Sequence, residues 1–108
     1  MIVRAWNGWT TIENAQAYED LLNGTIAPGI IARDIPGLRE LTVLRRMETE
    51  ATGHFTTLMT FDDWAAVELF AGPSATSSVV PQAAQNLLSR HDARSQHFEV
   101  LRVHRPTD

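Results

Sequence analysis

The chain has no cysteine and no lysine. The first absence excludes disulfides, thiolate nucleophiles and thiolate metal ligands, and it fits a cytoplasmic location. The second leaves all nine positive charges on arginine. These run from Arg4 to Arg105, with Arg45-Arg46 the only adjacent pair, and the formal net charge is −4. A nucleic-acid surface needs a concentrated basic patch, so none is expected. No apolar run approaches the roughly 20 residues of a membrane-spanning helix, so no membrane partner is expected. The opening MIVRAWNGWT lacks the apolar core and cleavage site of a secretory signal, so no leader is expected. GxGxxG, P-loop and GxSxG patterns are missing too. No cofactor is therefore expected to be held tightly, and an oxidation here would draw its electrons from the substrate.

What is present suits one small domain spanning residues 1–108, with 44% apolar and 20% charged residues. The most informative stretch is FTTLMTFDDWAAVELFAG, residues 55–72. Phe55, Thr57, Met59 and Phe61 alternate with His54, Thr56, Leu58 and Thr60, the period of a strand. Asp62 or Asp63 can cap a helix in which Trp64, Val67, Phe70 and Ala71 recur at helical spacing, and Gly72-Pro73 stops it.

Around this centre the same rules place a first strand over residues 2–9. Ile2, Arg4, Trp6 and Gly8 share one face, and Val3, Ala5, Asn7 and Trp9 the other. Thr10 or Thr11 can cap a first helix with the stripe Ala15, Tyr18, Leu22, Ile26. Pro28 is expected to break or kink it, with a short piece over 29–33 following. Ile35-Pro36-Gly37 turns into a second strand over 38–48, and 49–53 reads as a hairpin loop. Ser77 or Ser78 can cap a helix over 79–90 with the stripe Val80, Ala84, Leu87, Leu88. A fourth strand is expected over 95–104, with 105–108 as a frayed tail. The order is strand–helix–strand–strand–helix–strand, an α+β ferredoxin-like βαββαβ domain. Both strand faces carry apolar residues while helices can cover only one, which predicts a homodimer with its sheets packed together.

This organisation, with WNGWT closing strand one, IPG before strand two and QHFEVL in strand four, resembles the antibiotic biosynthesis monooxygenase family across residues 2–103. The resemblance implies a four-stranded antiparallel sheet with helices on one face, pairing as a dimeric α+β barrel. It also implies cofactor-independent oxidation of a small aromatic, quinol- or polyketide-type substrate by O2. Haem-degrading relatives use a Trp late in the second helix and a His just after it. Here Phe70 is followed by AGPSATSSVVPQ, which contains no His, so haem cleavage is disfavoured.

Within that frame Asn7 is a candidate to hold a substrate oxygen, its amide hydrogen-bonding a hydroxyl or a developing enolate. His97 is the candidate base, because neutral imidazole is suited to proton transfer near pH 7. Glu99, two residues on, shares its face and can orient it or raise its pKa. Two ligands without a third make no metal site, so no metal is expected. His54, His91 and His104 read as surface residues. Thr57, Met59, Phe61 and Phe70, with Trp9 and Trp64, are expected to line an apolar pocket between sheet and helices. The alternatives are a non-catalytic hydrophobic-ligand-binding or stress-related dimer, and a non-oxidative cyclase or isomerase with His97 as base.

Overall fold

The computed structural model describes residues 1–48, 52–76 and 80–107. Its elements are β1 (Ile2–Thr11), α1 (Ile12–Leu21), a π-helical segment (Leu22–Ile26), α2 (Ala27–Ala32), β2 (Leu38–Arg45), β3 (Thr52–Phe61), α3 (Trp64–Ala71), α4 (Gln82–Gln85), β4 (Leu88–His91) and β5 (Gln96–Glu99). The sheet is antiparallel in the order β2-β3-β1-β4, and β5 also pairs with β1. This is the α+β ferredoxin-like arrangement, with the fourth strand position filled by two short strands in succession.

The alternation in β1 and β3 works as the period of two requires. Trp6 lies opposite Thr57, Arg4 opposite Met59 and Gly8 opposite Phe55, and this face meets the helices. One core cluster gathers Met59, Phe61, Val67 and Phe70 beneath α3. A second gathers Tyr18, Leu22, Phe55 and Ala84 beneath α1 and α4. The opposite face carries Val3, Ala5, Asn7, Trp9, Leu58 and Phe98. Leu44 and Phe98 there are exposed among the described residues.

Several boundaries differ from expectation. The first helix does not break at Pro28. The chain passes through the π segment, where the Ala27 amide bonds the Leu22 carbonyl, and Pro28 then sits in the first turn of α2. A proline ring clashes with the carbonyl four residues earlier, and a wider turn just before it relieves that clash. Thr11 is the N-cap residue of α1 but makes no side-chain capping bond, while Thr10 is fully buried. Asp63, not Asp62, caps α3, accepting from the Ala66 amide at 2.9 Å, and Asp62 pairs with Arg39.

The expected helix over 79–90 is reduced to Gln82–Gln85, and Leu88–His91 pairs with Gly8–Thr10 of β1. The free edge of β1 takes these residues as a ladder, overriding a stripe that two adjacent leucines leave ambiguous. The fourth strand ends at Glu99 because its partner ends: Glu99 lies opposite Ile2, and the Val100 amide reaches the Met1 carbonyl. Residues 100–107 have no regular structure. Of the expected 49–53 loop, residues 49–51 lie outside the described residues, and Thr52 and Gly53 belong to β3. The expected caps Ser77 and Ser78 also lie outside the described residues.

Candidate functional site

Members of both core clusters wall a cavity of about 60 Å³ between the sheet and the helices. β1 contributes Arg4 and Trp6, and β3 contributes Thr57 and Met59. Tyr18, Leu22, Ile26, Ile30 and Phe70 close the helical side, with Ser95 from the segment before β5. The walls are mainly hydrocarbon and aromatic. The lining residues with charged or hydroxyl-bearing side chains are Arg4, Tyr18, Thr57 and Ser95. Burial pushes the Tyr18 phenol up to about 12, so it is a neutral hydrogen-bond donor at physiological pH.

Arg4 is buried at 3% exposure. Its Nη1 donates to the Ala75 carbonyl and lies 3.0 Å from His97 Nε2, and the guanidinium carbon sits 5.3 Å from the Phe70 ring centre. Arginine is always a donor, so His97 Nε2 accepts, which fixes a neutral imidazole with its proton on Nδ1. Burial, and then the Arg4 charge, lower the His97 pKa from its ordinary value.

The candidate residues divide among four places. Thr57, Met59 and Phe70 line the cavity as expected. Phe61 does not: it is fully buried in the core beneath α3, 6.2 Å from Phe70. Trp64 is 40% exposed and meets the His97 ring edge-on in a shallow outer groove with Asp62 and Phe98. His97 therefore sits behind Arg4, outside the cavity wall. The expected influence of Glu99 is absent: its residue is exposed, and the His97 pKa is lowered, not raised.

Asn7 and Trp9 lie on the opposite face of the sheet, because they have the other parity in β1. Both the oxygen and the nitrogen of the Asn7 side-chain amide are engaged there. Its Oδ1 accepts from Thr56 Oγ1 at 2.6 Å and lies 3.0 Å from His54 Nε2, while its Nδ2 donates to Asp92 Oδ2 at 2.9 Å. Trp9 stacks on His54 at 4.8 Å, with the Arg90 guanidinium 3.9 Å from its ring centre. His54 is thus half-buried in this network, not a surface residue. Trp6 occupies the cavity position expected of Trp9, its Nε1 donating to the Asp92 carbonyl.

Arg4, Tyr18 and Ser95 were not among the expected site residues. The signal available for Arg4 was its parity: it shares a strand face with Trp6 and points where an apolar side chain would be placed.

No family model matches the sequence, and no curated protein is significantly similar to it. Solved structures do match. A candidate antibiotic biosynthesis monooxygenase from Deinococcus radiodurans superposes with a TM-score of 0.71 at 17% identity, covering 100% of both chains. The chain has the antibiotic biosynthesis monooxygenase fold. The same fold is seen in SnoaB, a cofactor-independent oxygenase from Streptomyces nogalater, with a TM-score of 0.60 at 17% identity over 94% of this chain and 95% of that one. It is seen again in a mutant of MhuD with two manganese protoporphyrin IX molecules bound per active site. There the TM-score is 0.64 at 15% identity, over 96% of this chain and 99% of that one.

Proposed function

We propose that this chain is a cofactor-independent oxygenase acting on a small aromatic substrate of quinol or polyketide type. It would work as a homodimer formed through the outer face of the sheet. The observation that carries the reading is the apolar cavity between sheet and helices, walled by Trp6, Thr57, Met59 and Phe70. In such a dry site an activated methylene can lose a proton and pass electrons to O2. The resulting hydroperoxide loses water to leave a ketone, so R2CH2 and O2 become R2CO and H2O with no external reductant. Aromatic walls hold a planar substrate, and exclusion of water protects the carbanion.

The roles first assigned to Asn7 and His97 need revision within this proposal. Asn7 faces away from the cavity, and His97 reaches it only through Arg4. Arg4 and Tyr18 are better placed to stabilise a developing enolate oxygen. A porphyrin fits poorly, since no histidine is among the residues lining the cavity and His97 Nε2 is bonded to Arg4.

The test is oxygen uptake with anthrones and hydroquinones in the absence of any cofactor. Saturable uptake above the spontaneous rate is expected. A rate no greater than buffer alone across the panel would overturn the reading. The second reading, a non-catalytic binder of the same fold, draws on the absence of His97 and of any carboxylate from the cavity lining among the described residues. Binding of the same compounds without turnover would favour it.

A further inference from the structure

The cavity measures about 60 Å³. That is well under the roughly 150 Å³ of an engineered core cavity that binds benzene. A ring ligand therefore enters only as lining side chains give way, and the walls that cannot give way decide its shape. Met59 is unbranched and repacks readily. Leu22, Ile26 and Ile30 on the helical side are aliphatic and can change rotamer. Trp6 is different, because its indole is held from three directions.

The first hold is polar. Trp6 Nε1 donates to the Asp92 carbonyl at 3.0 Å. Asp92 is itself clamped to Asn7, the next residue along β1. Its amide donates to the Asn7 carbonyl at 2.9 Å, and its Oδ2 accepts from the Asn7 backbone amide and from Nδ2, each at 2.9 Å. The acceptor for the indole N–H is thus fixed to the strand that carries the indole. The second hold is steric. Gly8 lies two residues on, on the same strand face. A Cβ built there would lie 3.1 and 3.2 Å from Cζ3 and Cη2 of the Trp6 ring, and 2.8 Å from Leu88 Cδ2. The indole edge therefore fills the space that a side chain at position 8 would take. Leu88 can swing its methyl group aside, but the rigid ring would have to shift by a few tenths of an ångström. The third hold is the His91 ring, 5.7 Å from the Trp6 ring centre.

We propose that Trp6 is the specificity-determining residue of the cavity, a fixed aromatic wall that favours aromatic rings over saturated rings of the same skeleton, and that Gly8 and Asp92 are the positioning residues that hold it. This rests on the cavity being the ligand site, as in the proposed function, but not on oxygenation. Aromatic rings meet an indole in offset-stacked or edge-to-face geometry, with a gain beyond area burial that a saturated ring does not share. The Asn7 network on the outer face of the sheet acquires a role in this way, since it sets a wall of the cavity that Asn7 itself does not enter.

The experiment is calorimetric titration under argon with benzyl alcohol against cyclohexylmethanol, and 2-phenylethanol against 2-cyclohexylethanol. The hydroxyl is the same within each pair, and the quantity read is the ratio of affinities, aromatic over saturated. Trp6→Leu should lower that ratio about threefold or more, and Trp6→Phe should keep most of it. Gly8→Ala and Asp92→Ala should lower it in the same direction although Trp6 is still present, and Asp92→Asn should retain part of it. A general loss of stability would weaken both members of a pair and leave the ratio alone. A chain carrying Trp9→Phe and Trp64→Phe keeps Trp6 as its only indole, and its emission should change when benzyl alcohol saturates it. If Trp6→Leu does not fold, Trp6→Phe, the two positioning variants and this emission still decide. A ratio unchanged in Trp6→Leu, emission indifferent to benzyl alcohol, or failure of all four compounds to bind would overturn the proposal. A ratio that both Gly8→Ala and Asp92→Ala leave unchanged would overturn the positioning roles. Ring selectivity that depends on Trp6, without oxygen uptake, would leave the proposal standing while the oxygenase reading falls. Oxygen uptake with no such selectivity would do the reverse.

Discussion

The bond between Arg4 Nη1 and His97 Nε2 couples a permanent charge to a titratable ring. Protonating His97 removes the acceptor and places two cations side by side, which is why burial and Arg4 together lower its pKa. The folded value lies below the unfolded one, so the unfolded chain binds more protons through that window. Stability is then fully present above the ordinary histidine range near 6.5 and is lost as pH falls through the lowered folded value. Thermal melts across mildly acidic pH should fall less steeply for His97→Gln than for the parent, and identical slopes would refute the coupling. The strand period separated Trp6 from Trp9 and Arg4 from Asn7 in the sequence alone. It could not say which set faces the helices, because both contain apolar side chains. That choice depends on packing contacts remote in the chain, and so Asn7 was assigned to a cavity it turns its back on.

The turn from β3 into α3 was legible residue by residue, since alternation, cap and stop signals all lie within one short stretch. Two small features hold it. Asp63 caps the first turn, and Asp63→Ala should cost about 1 kcal/mol in urea unfolding. Gly37 packs against it with φ of +86°, and a Cβ there would sit 2.7 Å from the Ala66 Cβ. Gly37→Ala should therefore destabilise by about 1–3 kcal/mol through strain and overpacking together. A loss within a few tenths in either case would mean that the turn relaxes freely. The region from α4 to β5 was less legible. Val80, Ala84, Leu87 and Leu88 do pack in one cluster, as the stripe suggests, but the helix stops at Gln85. Pairing of residues 88–91 with β1 is a long-range contact that local periodicity does not encode.

At the scale of the molecule, helices cover one face of the sheet, while the other presents Val3, Leu58, Leu44 and Phe98, the last at 53% exposure. Leu101 and Val103 beyond β5 are also exposed. Native mass spectrometry should find a species of twice the 12.0 kDa chain mass, and Phe98→Glu should shift it toward one chain. A monomer at every concentration would remove the dimer from the proposal. The π segment, Leu22–Ile26, has its own consequence for the molecule's interior. Leu22 and Ile26 lie within it, Ile30 lies beyond it, and all three wall the cavity. An α-helix turns by about 100° per residue, so losing the one residue accommodated by the wider turn would swing Ile30 away from the site. Chain length at this point thus acts as a dial: a one-residue insertion or deletion among proteins of this shape can resize the pocket while every wall-forming residue type stays the same.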